Sequence, residues 1–158
     1  MRQPKILVFS GSARAGSLNT KLAALVCKHL ALADATVTQI SLKEYPLPIF
    51  DGDLEISDGV PKNAHKLKRL FQDQDGVFIA CPEYNAGVTP LLKNTIDWVS
   101  RLSDPGEPSS AAFKDRVFAI GSAAPGAFGV FLIKPQSEVG REHIGKGGIV
   151  RDASVAEA

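Results

Sequence analysis

Two short runs, Ile6 to Phe9 and Gly76 to Ala80, are apolar at every position or nearly so. Both have strand length, and neither alternates with polar residues. Such a run suits a strand covered on both faces, which is the situation inside a parallel sheet flanked by helices. Each run also leads directly into an unusual loop, Gly11 to Asn19 after the first and Cys81 to Gly87 after the second.

The rest of the chain alternates in the same sense. Leu18 to Ala33 carries Leu22, Leu25, Val26, Leu30 and Ala33 at helical spacing, and Thr36 to Ile40 is a β-branched strand. Leu42 to Pro61 reads as a long connection. Pro61 is well placed to open a helix with Ala64, Leu67, Leu70 and Phe71 on its inner face and Lys62, Lys66, Lys68 and Arg69 elsewhere. A further helix is expected over Pro90 to Arg101, a loop over Ser103 to Ser110 and a fourth strand over Val117 to Ile120. This order predicts an α/β domain with an open parallel sheet and helices on both faces.

After Ser122 the pattern changes. An apolar patch, Phe128 to Ile133, is followed by a polar stretch from Lys134 to Gly148 rich in glycine, which disfavours helix, and Ile149-Val150 is short for a strand. The reading is a cofactor-binding domain over residues 1–126 and an atypical C-terminal tail of the same domain over 127–158, with no clear final helix or strand.

Eighteen basic and seventeen acidic residues leave a net charge of +1. That balance gives no electrostatic case for nucleic acid or an anionic membrane, and the apolar runs are far too short to span a bilayer. Cys27 and Cys81 lack the spacing of a zinc site, and His29, His65 and His143 are scattered, so no metal is expected. Met1 to Lys5 enters a strand almost at once, which leaves no room for a secretory leader and points to the cytoplasm.

The first loop suits an anion. A helix N-terminus presents unpaired N–H groups and the positive end of its dipole. Ser12, Ser17 and Asn19 add hydrogen-bond donors, Arg14 adds a charge, and Gly11 and Gly16 allow close approach. The spacing of the two glycines resembles a P-loop, but Ser17 and Leu18 stand where that motif needs Lys and Ser or Thr. The dinucleotide fingerprint fails at Ala13. One phosphate on a short loop remains, with a ligand-free Ser/Asn helix cap as the plain alternative.

The second loop offers a flat aromatic in Tyr84, a polar side chain in Asn85 and a stiff turn at Pro82. Together with Lys93 to Arg101 the match becomes specific. Gly11, Ser12, Arg14, Ser17 and Asn19, then Pro82 to Asn85, then Leu92 to Trp98 with Thr95 in place of alanine, resemble the NADPH-dependent FMN reductase family, which includes chromate and quinone reductases and azoreductase-like flavoproteins. The resemblance extends from Lys5 to about Gly126.

It implies a flavodoxin-like sheet of strand order 2-1-3-4, with a fifth strand to follow. It implies phosphate contacts from Ser12, Arg14, Ser17 and Asn19, with Leu18 also against the cofactor. It implies ring contacts from Pro82, Glu83, Tyr84 and Asn85, and Ser122, ending strand four, in a third loop that closes on the ring. FMN is the implied cofactor, with NADPH or NADH as co-substrate. The implied reaction is ping-pong hydride transfer to a small acceptor such as a quinone, free flavin, azo compound or metal oxyanion. No side chain is required as acid or base, so no catalytic residue is named. The resemblance also implies a homodimer or homotetramer. The apolar loop Tyr45 to Phe50 suits either such an interface or a cover for the chain's own core, and Lys93, Asn94, Asp97 and Trp98 read as packing and interface. Rival readings are a flavodoxin-like electron carrier, or a cofactor-free inactive product of the altered C-terminus.

Overall fold

The computed structural model describes residues 2–133. The elements run β1 (Lys5–Ser10), α1 (Leu18–Leu32), β2 (Thr36–Ser41), a 3-10 turn (Leu42–Glu44), α2 (Gly52–Asp58), α3 (Lys62–Gln72), β3 (Gly76–Ala80), α4 (Pro90–Ser100), β4 (Val117–Ala124) and β5 (Ala127–Ile133). They form one sheet of order β2-β1-β3-β4-β5. The first four strands are parallel, as expected, and the register aligns Ser10 with both Ser41 and Ala80 and then Ala80 with Gly121. Three strands therefore end level with one another at the site end of the sheet.

The two strands without polar alternation lie in the interior of the sheet. Leu7, Phe9, Val77 and Ile79 face a layer that includes Leu67, Phe71, Leu92 and Val99. Val8, Phe78 and Ala80 face Ala23, with Leu22, Val26 and Leu30 packed alongside. Burying each such aliphatic or aromatic side chain stabilises by about 1.5–3 kcal/mol. Leu25, one of the apolar residues at helical spacing in α1, is half exposed.

Four expectations change. Leu42 to Pro61 is not a simple connection, because α2 forms within it, capped by the Asp51 carboxylate on the Asp53 N–H at 2.8 Å. β4 reaches Ala124, so Ser122 lies inside the strand rather than at its end. The apolar patch is β5, which pairs antiparallel with β4 from Ala124↔Ala127 to Phe118↔Ile133. The sheet is therefore mixed. Pro125 and Gly126 make the reversal, with Gly126 at φ 79° in the conformation that the third position of a type II turn requires. The expected boundary after residue 126 falls in this turn, and the strand beyond it belongs to the same sheet. The glycine-rich stretch from Lys134 and the Ile149-Val150 pair lie outside the described residues.

Lys68 is the fourth change. It follows Ala64 by one helical turn, so it lies on the inner face of α3 and is 3 % exposed. Its ammonium donates to Asp104 at 2.8 Å and to Glu107 at 2.5 Å. Burial alone would lower the lysine's pKa, but those two carboxylates outweigh it and hold it above its ordinary value. Glu107 is drawn down to about 2 by the Asp104 N–H, Lys68 and Gln72. The loop from Ser103 to Ser110 is thereby latched onto α3.

Of Lys93, Asn94, Asp97 and Trp98, the tryptophan and the asparagine serve packing. Trp98 is fully buried and donates its indole N–H to the Pro48 carbonyl at 2.7 Å. Asn94 donates to the same carbonyl at 2.9 Å and accepts the Phe50 N–H at 2.8 Å. Lys93 and Asp97 pair one turn apart on the surface. Tyr45, Leu47 and Phe50 of the apolar loop pack on the chain's own core, while Ile49 is 85 % exposed.

Candidate functional site

The site grows from the adjacency of β1 and β3. The chain leaves β1 toward β2 on one side, and β3 lies on the other, so a crevice opens beyond their carboxyl ends. Gly11 donates its N–H to Ala80 at 2.9 Å, and Cys81 donates to Gly121 at 2.8 Å. The starts of both loops are thus tied to neighbouring strands.

The first loop turns on its own hydroxyls. Ser10 Oγ accepts the Ser12 N–H at 3.1 Å and Ser12 Oγ accepts the Arg14 N–H at 3.3 Å. Gly16 has φ 68°, and Ser17 caps α1 by accepting the Asn19 N–H at 3.2 Å. Among the described residues the Ala15, Gly16 and Leu18 N–H groups have no protein acceptor. The Arg14 side chain is exposed and makes no hydrogen bond or ion pair with them. Free N–H groups at the start of a helix beside a free guanidinium form an anion cradle.

The second loop is a tight reversal. Tyr84 and Gly87 exchange backbone hydrogen bonds of 2.9 and 3.1 Å, and Asn85 and Ala86 have φ 51° and 60°. Two successive positive φ values inside such a pair mark a type I′ hairpin turn. The Glu83 carboxylate accepts the Ala86 N–H. Tyr84 is 49 % exposed.

These pieces surround one cleft of about 330 Å³, within the range of roughly 300–1,000 Å³ that small ligands occupy. One wall holds Ser12, Arg14, Ser17, Leu18 and Asn19. A second holds Pro82, Glu83 and Tyr84. A third is the end of β4, Ser122 to Ala124, with Pro125. Asn85 does not line the cleft; its place is in the turn. Asn19 is engaged across the cleft, since its amide nitrogen donates to the Ala123 carbonyl and its amide oxygen accepts the Ala123 N–H, both at 3.0 Å.

Sequence reading missed Thr89, whose hydroxyl bonds Gly11, and Ala123 to Pro125. A Thr-Pro pair opening a helix is a visible capping signal for Thr89, but its long-range partner is not visible. Among the described residues, no cluster of His, Cys, Asp and Glu is arranged to hold a metal ion, and no helix is long and apolar enough to cross a membrane.

Comparison with known proteins gives a consistent answer. Over 101 residues the chain is 36 % identical to a quinone reductase of Escherichia coli K12, covering 63 % of this chain and 52 % of that protein. It is 30 % identical over 128 residues to a probable NADPH:quinone oxidoreductase of Oryza sativa, covering 79 % and 58 %. The chain spans about half the length of the curated relatives it matches. Among solved structures, the flavoenzyme NAD(P)H:(acceptor) oxidoreductase FerB of Paracoccus denitrificans superposes with a TM-score of 0.61 at 28 % identity, over 78 % of this chain and 62 % of FerB. The family described as NADPH-dependent FMN reductase matches residues 4–138, and it implies FMN with a nicotinamide co-substrate. With that match covering most of its length, the chain belongs to the NADPH-dependent FMN reductase family.

Proposed function

We propose that this chain binds FMN in the cleft beyond β1, β3 and β4 and serves as an NAD(P)H-dependent oxidoreductase for a small quinone-type acceptor. The observation that carries the reading is the convergence of three separate segments on one cleft, with an anion cradle on one wall and an exposed tyrosine on another. Bound there, FMN supplies the hydride chemistry between nicotinamide and acceptor.

The chain's own residues supply position and charge. The free N–H groups at Ala15, Gly16 and Leu18, the Ser12 and Ser17 hydroxyls and Arg14 hold the phosphate. Pro82, Glu83 and Tyr84 border the ring, and Ser122 faces it from β4. Asn19 acts by joining α1 to β4, since both ends of its amide are engaged there. Asn85 acts by shaping the turn. No residue needs to exchange a proton with substrate.

Residues 1–126 then form the cofactor-binding unit, with 127–158 as the C-terminal part of the same domain. Exposed Ile49 and Ile56, at 85 % and 86 %, support a homodimer or homotetramer through the α2 side. A supply of reduced nicotinamide suits a cytoplasmic setting. The names of the relatives support quinones as the acceptor class over azo compounds or metal oxyanions.

The test is direct. Purified protein titrated with FMN should bind it at micromolar concentration, NADPH should bleach the bound flavin, and a benzoquinone should restore its colour. Protein that takes up no FMN would sink the reading. Flavin that binds but is not bleached by NADPH or NADH would leave an electron carrier instead.

A further inference from the structure

Thr89 lies just past the ring loop, and its hydroxyl makes two close bonds and a longer contact of 3.9 Å to Cys81 Sγ. Oγ1 accepts the Leu92 N–H at 3.2 Å, which caps α4. Its proton goes to the Gly11 carbonyl at 2.6 Å, 78 residues away in sequence. The residue is 2 % exposed, so water does not compete for either bond. Helix capping needs only the first. The second has no part in it.

Gly11 is thereby held from both ends of the ring loop. Its N–H bonds Ala80, the residue before that loop, and its carbonyl bonds Thr89, two residues past its end. The seam has no slack. A Cβ on Gly11 would come within 2.9 Å of Cys81 Sγ and 3.2 Å of Thr89 Oγ1. The loop bordering the ring therefore begins and ends on the first residue of the phosphate loop.

We infer that Thr89 is a positioning residue that sets the spacing between the phosphate and ring ends of the cleft, an inference that rests on the FMN reading above. A ligand with a rigid ring at one end and a phosphate at the other gains affinity when its two subsites are held in fixed relation. Loss of the donated bond frees the ring loop but leaves Arg14 and the free N–H groups in place. Ring placement suffers more than phosphate anchoring.

Three variants test this. Thr89→Val keeps the shape without the hydroxyl, Thr89→Ser keeps the hydroxyl, and Gly11→Ala keeps Thr89 but wedges the seam. The measurements are FMN titration by fluorescence, visible circular dichroism of the bound ring, and amide hydrogen exchange at Tyr84 and Gly87 in FMN-free protein. Thr89→Val removes the donated bond and the α4 cap together; loss of the donated bond should weaken FMN about tenfold, and loss of the cap should lower the melting temperature. The variant should also alter the visible dichroism and speed exchange at Tyr84 and Gly87. Thr89→Ser should stay near wild type, and Gly11→Ala should resemble Thr89→Val, which keeps the comparison available if the valine variant does not fold. A lower melting temperature with unchanged exchange, dichroism and affinity would reduce Thr89 to a helix cap and overturn the inference. If wild-type protein binds no FMN, the functional reading fails separately. The exchange comparison then decides: faster exchange rescued by serine supports the brace, and equal exchange overturns it.

Discussion

Asn19 and Ala123 exchange two hydrogen bonds, each 3.0 Å long, across 104 residues of sequence. The amide of the first turn of α1 thus pairs with the backbone of β4 as a neighbouring strand would. It joins the wall that carries the anion cradle to the wall that carries Ser122. Asn19→Ala removes both bonds and leaves a part-buried N–H and carbonyl at Ala123 without partners, which costs about 1–3 kcal/mol. Urea unfolding should show that loss, together with weaker FMN binding. An unchanged unfolding midpoint would refute the clamp.

Arg14 is exposed and free of protein partners among the described residues. Arg14→Ala should therefore leave thermal stability within about 0.5 kcal/mol. It should weaken FMN by about 1.5–3 kcal/mol through loss of a charge-assisted contact. Riboflavin, which lacks the phosphate, separates the roles: its affinity should be the same for wild type and variant. A parallel loss for riboflavin would place Arg14 at the ring instead.

Ala86 holds φ 60° in the turn between Tyr84 and Gly87. A left-handed conformation disfavours a residue with a Cβ and suits glycine. Ala86→Gly should stabilise the protein by about 1 kcal/mol without disturbing FMN affinity, as urea unfolding and flavin titration would measure. Destabilisation would mean that the alanine methyl makes a contact worth more than the strain.

Tyr84 holds its turn through backbone groups, not its ring. Tyr84→Ala should leave the melting temperature nearly unchanged but cost about 0.5–1.5 kcal/mol of FMN affinity, the scale of one aromatic contact. A large drop in melting temperature with full affinity would make the tyrosine structural.

The Lys68 latch predicts a pH dependence. Glu107 is held at about 2 against an ordinary value of 4.5, so its folded form favours the ionised state. Its contribution to stability is complete above pH 4.5 and is lost as pH falls toward 2. Lys68 is raised above 10.5, so its contribution is present below that pH and disappears as pH rises through the folded-state value. Urea midpoints for Glu107→Gln should lie below wild type by a constant amount in neutral solution, and the gap should close on the acid side. A gap independent of pH down to 2 would contradict the charged latch.

What was legible in the sequence is local in origin. The uninterrupted apolar runs of β1 and β3 marked buried strands. The Ser17 cap, the glycines of the first loop and the Pro90 start of α4 are read from residues a few positions apart. The parallel order and nine of the ten expected site residues on one cleft followed from that reading and the family resemblance.

What only the tertiary structure decided is which groups meet across long separations. Asn19 pairs with Ala123, Thr89 with Gly11, and Lys68 is buried under a loop that brings two carboxylates. Phe128 to Ile133 becomes an antiparallel strand because β4 continues to Ala124 and a Pro-Gly turn reverses the chain. Helix periods and caps depend on neighbours within a turn or two, so a chain reveals them directly. A hydrogen bond spanning 104 residues depends on where the whole sheet places its ends, and no local pattern encodes that.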